Sequence, residues 1–374
     1  MKTHVEISSA SLLANLDWFS ERTKKPLIFV VKGNAYGHGL EEIVSIACTH
    51  PALAYFAVDS AGEALLVKRK SGGKPVLAVG WIPEEELPDM LAAGIELIVP
   101  SIPYLKTVSA LARKMGLQAK VHLKVETGTS RLGIEAEKIP ATMAGHNSKL
   151  IHVKGIYSHF ANIEDTTDHA YAHSQLELFN RLLAGIKAKE LLKHFSCSAS
   201  ALLFPETYFD LVRVGISAYG FWPSKPTQVS FQEHNHHGPI KLKPVLSWYS
   251  RVAQVKELPK NSPVGYGLSY RTLKKTRLAV IPVGYYEGYD RRLSNNGWLV
   301  VGGKRAPLRG RVCMNMLMAD ISHIPGVKPG DRVTLIGGQG EERVSAEELA
   351  EICQTIHYEI IARINPLIPR LVVP

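Results

Sequence analysis

The chain has 374 residues, 45% of them hydrophobic and 21% charged, the balance of a folded globular protein long enough for two domains. Lys and Arg number 44 against 34 Asp and Glu, a formal charge of +10, but the cations are scattered, and clusters such as KRKSGGK (68–74) and LKKTR (273–277) are short and loop-like. That distribution argues against nucleic-acid binding and suits a basic enzyme acting on anionic small molecules.

The opening stretch MKTHVEISSASLLANLDWF lacks a continuous apolar segment of secretory type, and no apolar run approaches the roughly 20 residues of a membrane span, so the expected compartment is the cytoplasm. Cys48, Cys197, Cys313 and Cys353 are far apart with no CxxC pair, against a disulfide framework or a structural zinc site. From there short apolar runs alternate with amphipathic stretches. The runs are LIFVVK (27–32), YFAVD (55–59), VLAVG (76–80), LIVP (97–100), VHLKVE (121–126), HVKGIYSHF (152–160), HFSCS (194–198) and LVRVGIS (211–217). Segments 41–50 and 173–192 have helical spacing between them. Such alternation implies parallel strands joined by crossover helices. About eight strands over this length suit a closed (β/α)8 TIM-like barrel; periodicity alone leaves an open doubly wound sheet as the alternative.

The texture changes after Gly220. Residues 221–245 are rich in Pro and His and read as a connector; its HNHH (234–237) lacks the fixed geometry of a metal site. Strand-like pieces follow at 246–258, 277–288, 298–321 and 331–338, with one short helix at 345–356, a mainly β domain. The expected division is a barrel over 8–235 and a β domain over 236–374, joined by an N-terminal strand at 1–7.

Several polar residues sit where strands end. Lys32 leaves an apolar strand into GNAYGHG, the mouth at which barrels build active sites, and partial desolvation there lowers an amine's pKa. Arg131 lies in a Gly/Ser/Thr turn after the fifth run, and His159 ends the sixth. Strand alternation puts His122, Lys124 and Glu126 on one face, so an interior Lys124 needs a partner. Ser198 after the seventh run and Gly215 and Ile216 closing the eighth match the usual position of a barrel's phosphate site. Arg213 lies inside the eighth run between valines, facing either the interior or the helices outside.

Taken in order, VVKGNAYGHG, KVETGTSRLG, YSHF, HFSCSASALLFP, VRVGISAYG, VGYGLSY, PVGYYEGYD, GRVCMNM and HYEIIARI resemble the alanine racemase family from Lys32 to about Arg370. The resemblance implies a (β/α)8 barrel plus β domain, pyridoxal 5'-phosphate as cofactor, and a homodimer whose partner subunit completes each site. It implies that Lys32 holds the cofactor covalently and is one of two catalytic bases, with Tyr266 the other, supplied by the second subunit. Tyr36, Ser198, Gly215, Ile216 and Tyr358 match groups around the cofactor phosphate, and Arg213 the arginine facing the pyridine nitrogen, with His159 tuning Tyr266 or bracing Arg213. Arg131 matches an arginine near the phenolic oxygen and substrate carboxylate, Met314 a carboxylate-binding backbone amide, and Tyr285 an entrance tyrosine. Lys124 matches a lysine that many members carbamylate. The implied reaction interconverts L- and D-alanine through a cofactor-stabilised carbanion, typically for cell-wall peptidoglycan. The alternatives are a serine or broad-spectrum racemase, or a PLP-binding protein without turnover; a decarboxylase is disfavoured because that activity on this fold pairs the pyridine with a carboxylate. Glu126, Cys197 and Asn315 depart from the family's usual Asp/Asn, Asn and Asp, and TGTSR from its TGMGR-like turn.

Overall fold

The computed structural model describes residues 1–146, 149–234 and 240–374. They form two compact units, Ala10–Gly33 with Ile43–Lys243, and Met1–Ser9 with Asn34–Glu42 and Pro244–Pro374. The first strand, β1 (Thr3–Ser8), belongs to the second of these.

The larger unit is the barrel. Its strands are β2 (Leu27–Val30), β3 (Leu53–Val58), β4 (Val76–Ala78), β5 (Glu96–Val99) and β6 (Ala119–Glu126), the short β7 (Ile134–Glu135) beside β6, then β8 (Ile151–Tyr157), β9 (Leu192–His194) and β10 (Val212–Val214). The parallel order is β10-β2-β3-β4-β5-β6-β8-β9, with helices between most successive strands. Strands covered on both faces carry near-continuous apolar runs, and β4 and β5 are buried at every residue. Ile28, Tyr55, Ala57, Leu77, Ile98, Tyr157 and Leu211 pack together inside; full burial of one large aliphatic side chain stabilises by about 1.5–3 kcal/mol.

The helices read from the same rules. Ile102–Met115 buries Tyr104, Leu105, Val108 and Ala112 on one face, starts where Ser101 Oγ accepts from the Tyr104 amide, and stops at Gly116 in a left-handed cap (φ 68°).

Among the described residues β9 and β10 form no ladder, so the cylinder is nearly rather than fully closed. The seam is stitched by single bonds instead: the Asp210 amide donates to the Lys193 carbonyl at 3.0 Å, the Lys193 amide to Asp210 Oδ2 at 2.8 Å, and the Arg213 amide to Ser196 Oγ at 3.1 Å. The last two runs read from the sequence are shortened accordingly. The 194–198 run ends at His194, with Ser198 opening a helix (Ser198–Leu203), and the 211–217 run ends at Val214 before a 3-10 turn (Ile216–Tyr219). The 221–245 connector contains a helix, Lys225–His234; the rest of HNHH lies outside the described residues.

The β unit comprises β1, β11 (Leu246–Arg251), β12 (Gln254–Leu258), β13 (Thr276–Ile281), β14 (Trp298–Val301), β15 (Lys304–Pro307), β16 (Leu317–Asp320), β17 (Arg332–Gln339), β18 (Glu342–Val344) and β19 (Arg370–Val373). One sheet runs β15-β14-β17-β11-β1-β19, with β1 antiparallel to β11 and parallel to β19, and a second runs β12-β13-β16. The helix expected over 345–356 ends at Cys353, because Gln354 turns left-handed (φ 51°), and a second helix, His357–Ala362, carries Tyr358.

Candidate active site

Lys32 follows β2 and begins a short helical turn, Lys32–Tyr36, that runs in the uncommon direction. Gly33, Asn34, Ala35 and Tyr36 have φ of 64°, 54°, 53° and 52°. For residues with a Cβ this conformation costs about 1–2 kcal/mol each. Within the β unit the turn is held by Asn34, whose Oδ1 accepts from the Leu40 amide at 2.8 Å and whose carbonyl accepts from Gly39 at 3.1 Å. Gly37 follows with φ 82°, and a Cβ there would lie 1.9 Å from the Ile361 carbonyl oxygen, so only glycine fits. The Lys32 ammonium meets Asp59 Oδ1 at 3.7 Å, with both side chains open to solvent.

Arg213 faces inward and is 5% exposed. Nη1 donates to His194 Nδ1 at 2.7 Å and to the His194 carbonyl at 3.0 Å. Nη2 donates to the carbonyls of Ser158 (2.8 Å) and Phe195 (2.9 Å) and, at 3.4 Å, to His159 Nδ1. Nε has no partner among the described residues and is not sealed off. Burial lowers the guanidinium to about 10, still protonated at neutral pH, while burial and the adjacent Arg213 hold His159 well below its ordinary value. His159 is therefore a neutral acceptor that braces Arg213.

Lys124 shares this interior at 4% exposure. Burial, then the charges of Arg131 and Arg213, lower its pKa to about 8. Its Nζ lies 5.9 Å from the centroid of Tyr157. Tyr157 stacks on His194 (4.8 Å, 4° between planes), and its buried hydroxyl has no partner among the described residues.

Arg131 sits in the 127–133 loop, which is organised by Glu126. One carboxylate oxygen accepts from the Gly128 amide at 2.5 Å and the Thr129 amide at 2.6 Å; the other accepts from Thr129 Oγ1 at 3.2 Å and the Arg131 amide at 3.4 Å. Partial burial acts to raise the pKa of Glu126, but the amides of Gly128, Ser130 and Thr129 outweigh it and hold the carboxyl below its ordinary value. A glutamate reaches these amides across the turn, which gives the departure at 126 a local role.

After β9 and β10, Ser198 Oγ accepts from the amides of Gly215 (3.0 Å) and Ser217 (3.3 Å). The buried Ser217 hydroxyl has no partner among the described residues. Ile216 lies between them, so the loops after these two strands converge. Cys197, beside Ser198, is a half-buried thiol pushed up to about 11 by desolvation, so it remains protonated.

In the β unit, Tyr266 stands 73% exposed on a turn flanked by Gly265 (φ 70°) and Gly267 (φ 69°). It lines an open cavity of about 970 Å³ with Tyr285, Arg291, Arg311, Met314 and Asn315. Gly284 permits its wall: a Cβ there would meet the Cys313 carbonyl at 2.1 Å, and the Tyr285 amide donates to that carbonyl at 3.0 Å. The Met314 N–H has no partner among the described residues. Asn315 Nδ2 donates to Glu287 Oε1 at 3.0 Å, and Lys2 pairs with the same oxygen at 2.9 Å. An aspartate at 315 would set two carboxylates together, so Asn315 suits Glu287. Tyr36 and Tyr358, also in this unit, have ring centroids 6.1 Å apart.

Sequence reasoning passed over Asp59, Tyr157, Ser217 and Glu96. The signal for Glu96 was present, a lone acid opening the apolar strand ELIV. Among the described residues no group of His, Cys, Asp and Glu could hold a metal ion.

Two family models match this chain, Alanine racemase, N-terminal domain over residues 7–223 and Alanine racemase, C-terminal domain over residues 245–372. The chain belongs to the alanine racemase family. It is 40% identical to an alanine racemase of Leptospira interrogans over 375 aligned residues, covering 99% of this chain and 95% of that protein. Among solved structures it is similar to alanine racemase of Clostridium difficile 630 (TM-score 0.92, 27% identity, 100% and 96% of the chains covered). It is also similar to that of Bartonella henselae with covalently bound pyridoxal phosphate (TM-score 0.86, 26% identity, 100% of both chains covered). The chain is an isomerase, and interconversion of L- and D-alanine is the reaction its relatives support; serine racemisation and a purely binding role are not favoured. No helix among the described residues is long and apolar enough to cross a membrane.

The depressed Glu126 carboxyl contributes order to the 127–131 loop above the ordinary carboxylate pKa, and that contribution is lost as pH falls through the lowered value. Glu126→Ala should therefore speed amide exchange at Gly128 and Thr129 by about tenfold or more at pH 7, read by hydrogen–deuterium exchange, with the barrel strands unchanged. Unaltered exchange there would contradict the role given to Glu126.

Proposed function

We propose that this chain racemises alanine by a two-base mechanism, with pyridoxal 5'-phosphate held in the barrel and sites shared within a homodimer. The observation that carries the reading is Arg213, whose Nη atoms are all committed to protein acceptors while Nε is left for a ligand. The ends of β9 and β10 also fit such a cofactor: Ser198 Oγ gathers the Gly215 and Ser217 amides around Ile216, where the cofactor phosphate would sit, and the Ser217 hydroxyl has no partner among the described residues. Tyr36 and Tyr358 are assigned to the same phosphate from the family resemblance alone.

When bound, the cofactor withdraws electrons and so acidifies the substrate Cα–H. Lys32 carries it on Nζ and moves the proton on one face. Tyr266 Oη moves it on the other, which inversion at a planar carbon requires. Arg213 stays protonated and can only donate, so it limits the ring's electron-withdrawing power; this keeps the reaction to proton exchange and disfavours transamination. Arg131 and the Met314 N–H bind the substrate carboxylate, and Tyr285 guards the entrance. The exposure of Tyr266 and Met314, at 73% and 55%, suits residues that meet a second copy of the chain.

In deuterated water the cofactor-loaded protein should convert L-alanine to the racemate with deuterium entering at Cα. Lys32→Ala should abolish both, and Tyr266→Phe should cost about 10²-fold or more, mainly in exchange from one face. Cofactor binding without exchange or inversion would overturn alanine as the substrate.

Lys124 is proposed to carry a carbamate. A lysine lowered to about 8 has enough neutral amine at pH 7 to add carbon dioxide, and the resulting anion would pair with Arg131. A 13C resonance from labelled bicarbonate, absent in Lys124→Ala, is the expected result; a crystal structure with a bare ammonium at Lys124 would refute it.

A further inference from the structure

We propose that Glu96 is a positioning residue for Arg213, acting through His122 and His194, which form a one-directional hydrogen-bond chain across the barrel interior. The assignment rests on the proposed role of Arg213 at the cofactor ring.

The chain has three links. Arg213 Nη1 lies 2.7 Å from His194 Nδ1, His194 Nε2 lies 2.9 Å from His122 Nδ1, and His122 Nε2 lies 2.9 Å from Glu96 Oε2. Its residues come from β10, β9, β6 and β5 in turn. Both histidines and Glu96 are buried, at 0%, 0% and 3% exposure.

The proton positions follow from the two ends. A guanidinium only donates, so His194 Nδ1 must accept. His194 then bears its hydrogen on Nε2 and donates to His122 Nδ1, and His122 bears its hydrogen on Nε2 and donates to the carboxylate. A second proton on either ring would set two donors face to face. With an arginine at one end and a carboxylate at the other, both rings are fixed as neutral Nε2–H tautomers. Burial and the facing Arg213 also hold His194 well below its ordinary pKa.

The surroundings support this order. Gly155 on β8 makes room for it, since a Cβ there would lie 2.3 Å from His122 Nδ1. Tyr157 stacks on His194 and fixes the plane of its ring. At the far end, burial works to raise the pKa of Glu96, but His122, Lys154 and Lys120 outweigh it and hold it below its ordinary value, ionised at neutral pH. Lys154 Nζ stands 3.9 Å from its other oxygen. Among the described residues, Glu96 thus supplies the anion at the end of the chain that begins at the buried guanidinium. Nη1 is held at a fixed angle, and with it the direction of Nε.

The test has two arms. In holoenzyme carrying 15N-histidine, long-range 1H–15N spectra should show two rings, assigned by His122→Gln and His194→Gln, that stay neutral Nε2–H tautomers from pH 5.5 to 8.5. A cationic or Nδ1–H ring at either position overturns the proposal. In the second arm, Glu96→Leu removes the acceptor and Glu96→Gln keeps an oxygen to receive the His122 hydrogen. Glu96→Leu should lower kcat by about tenfold or more, leave KM within about twofold, and shift the visible absorption of the bound cofactor, while Glu96→Gln recovers to within about threefold. A folded Glu96→Leu with unchanged kcat and absorption overturns it. If Glu96→Leu does not fold, the histidine spectra of wild type and Glu96→Gln decide. A wild-type protein that binds cofactor without turning over alanine would defeat the proposed function, and the spectra and the absorption shift would still decide the chain.

Discussion

A guanidinium buried inside a barrel constrains everything near it. Desolvating a charge costs several kcal/mol unless its hydrogen bonds are replaced, and Arg213 replaces them from the ends of two strands, β8 and β9. It donates to the carbonyls of Ser158, His194 and Phe195 and to two imidazoles. The carbonyls of His194 and Phe195 lie on the β9 side of the seam, where the ladder to β10 is missing. The same side chain therefore helps to close the cylinder and presents one remaining N–H. Fold and chemistry meet in one residue: a lysine would have too few donors and no planar fork, and a carboxylate would reverse every bond.

Within each unit, other positions are set by close approach. The left-handed turn after Lys32 places three residues with side chains where glycine is favoured, and the bonds of Asn34 and the bare Cα of Gly37 hold it. Gly155 performs the same service for His122, and Gly284 for the wall beneath Tyr285. Strain of this kind clusters at functional sites because the surrounding structure can over-determine it. The departures from the family pattern are local exchanges of the same sort: Glu126 fills its own turn with amides, and Asn315 donates where an aspartate would repel Glu287.

Much of the barrel was legible because strands covered on both faces must be apolar, and each run from LIFVVK to LVRVGIS overlaps an observed strand, the 194–198 run at His194 alone. Lys32, Arg131, His159 and Ser198 could be picked out because they punctuate those runs. What escaped was set by tertiary context. The inward aim of Arg213 came from the family resemblance alone, since it cannot be read from alternation in a three-residue strand. Glu96 opens a buried strand, and its reason lies on β6, β9 and β10. The left-handed turn has only two glycines to announce it across 33–37, and the helix carrying Tyr358 follows a cap at Gln354 where glycine or asparagine is usual.

The central claim is that Lys32 of one subunit works with Tyr266 of the other, and subunit mixing tests it most directly. Lys32→Ala and Tyr266→Phe proteins, each nearly inactive, are unfolded, combined in equal amounts and refolded with pyridoxal 5'-phosphate. Half the dimers are then mixed, each with one intact pair in two sites, so racemase activity should return to about a quarter of wild type. Activity no greater than the sum of the two parents, in a mixture shown by mass spectrometry to contain mixed dimers, would contradict the shared site.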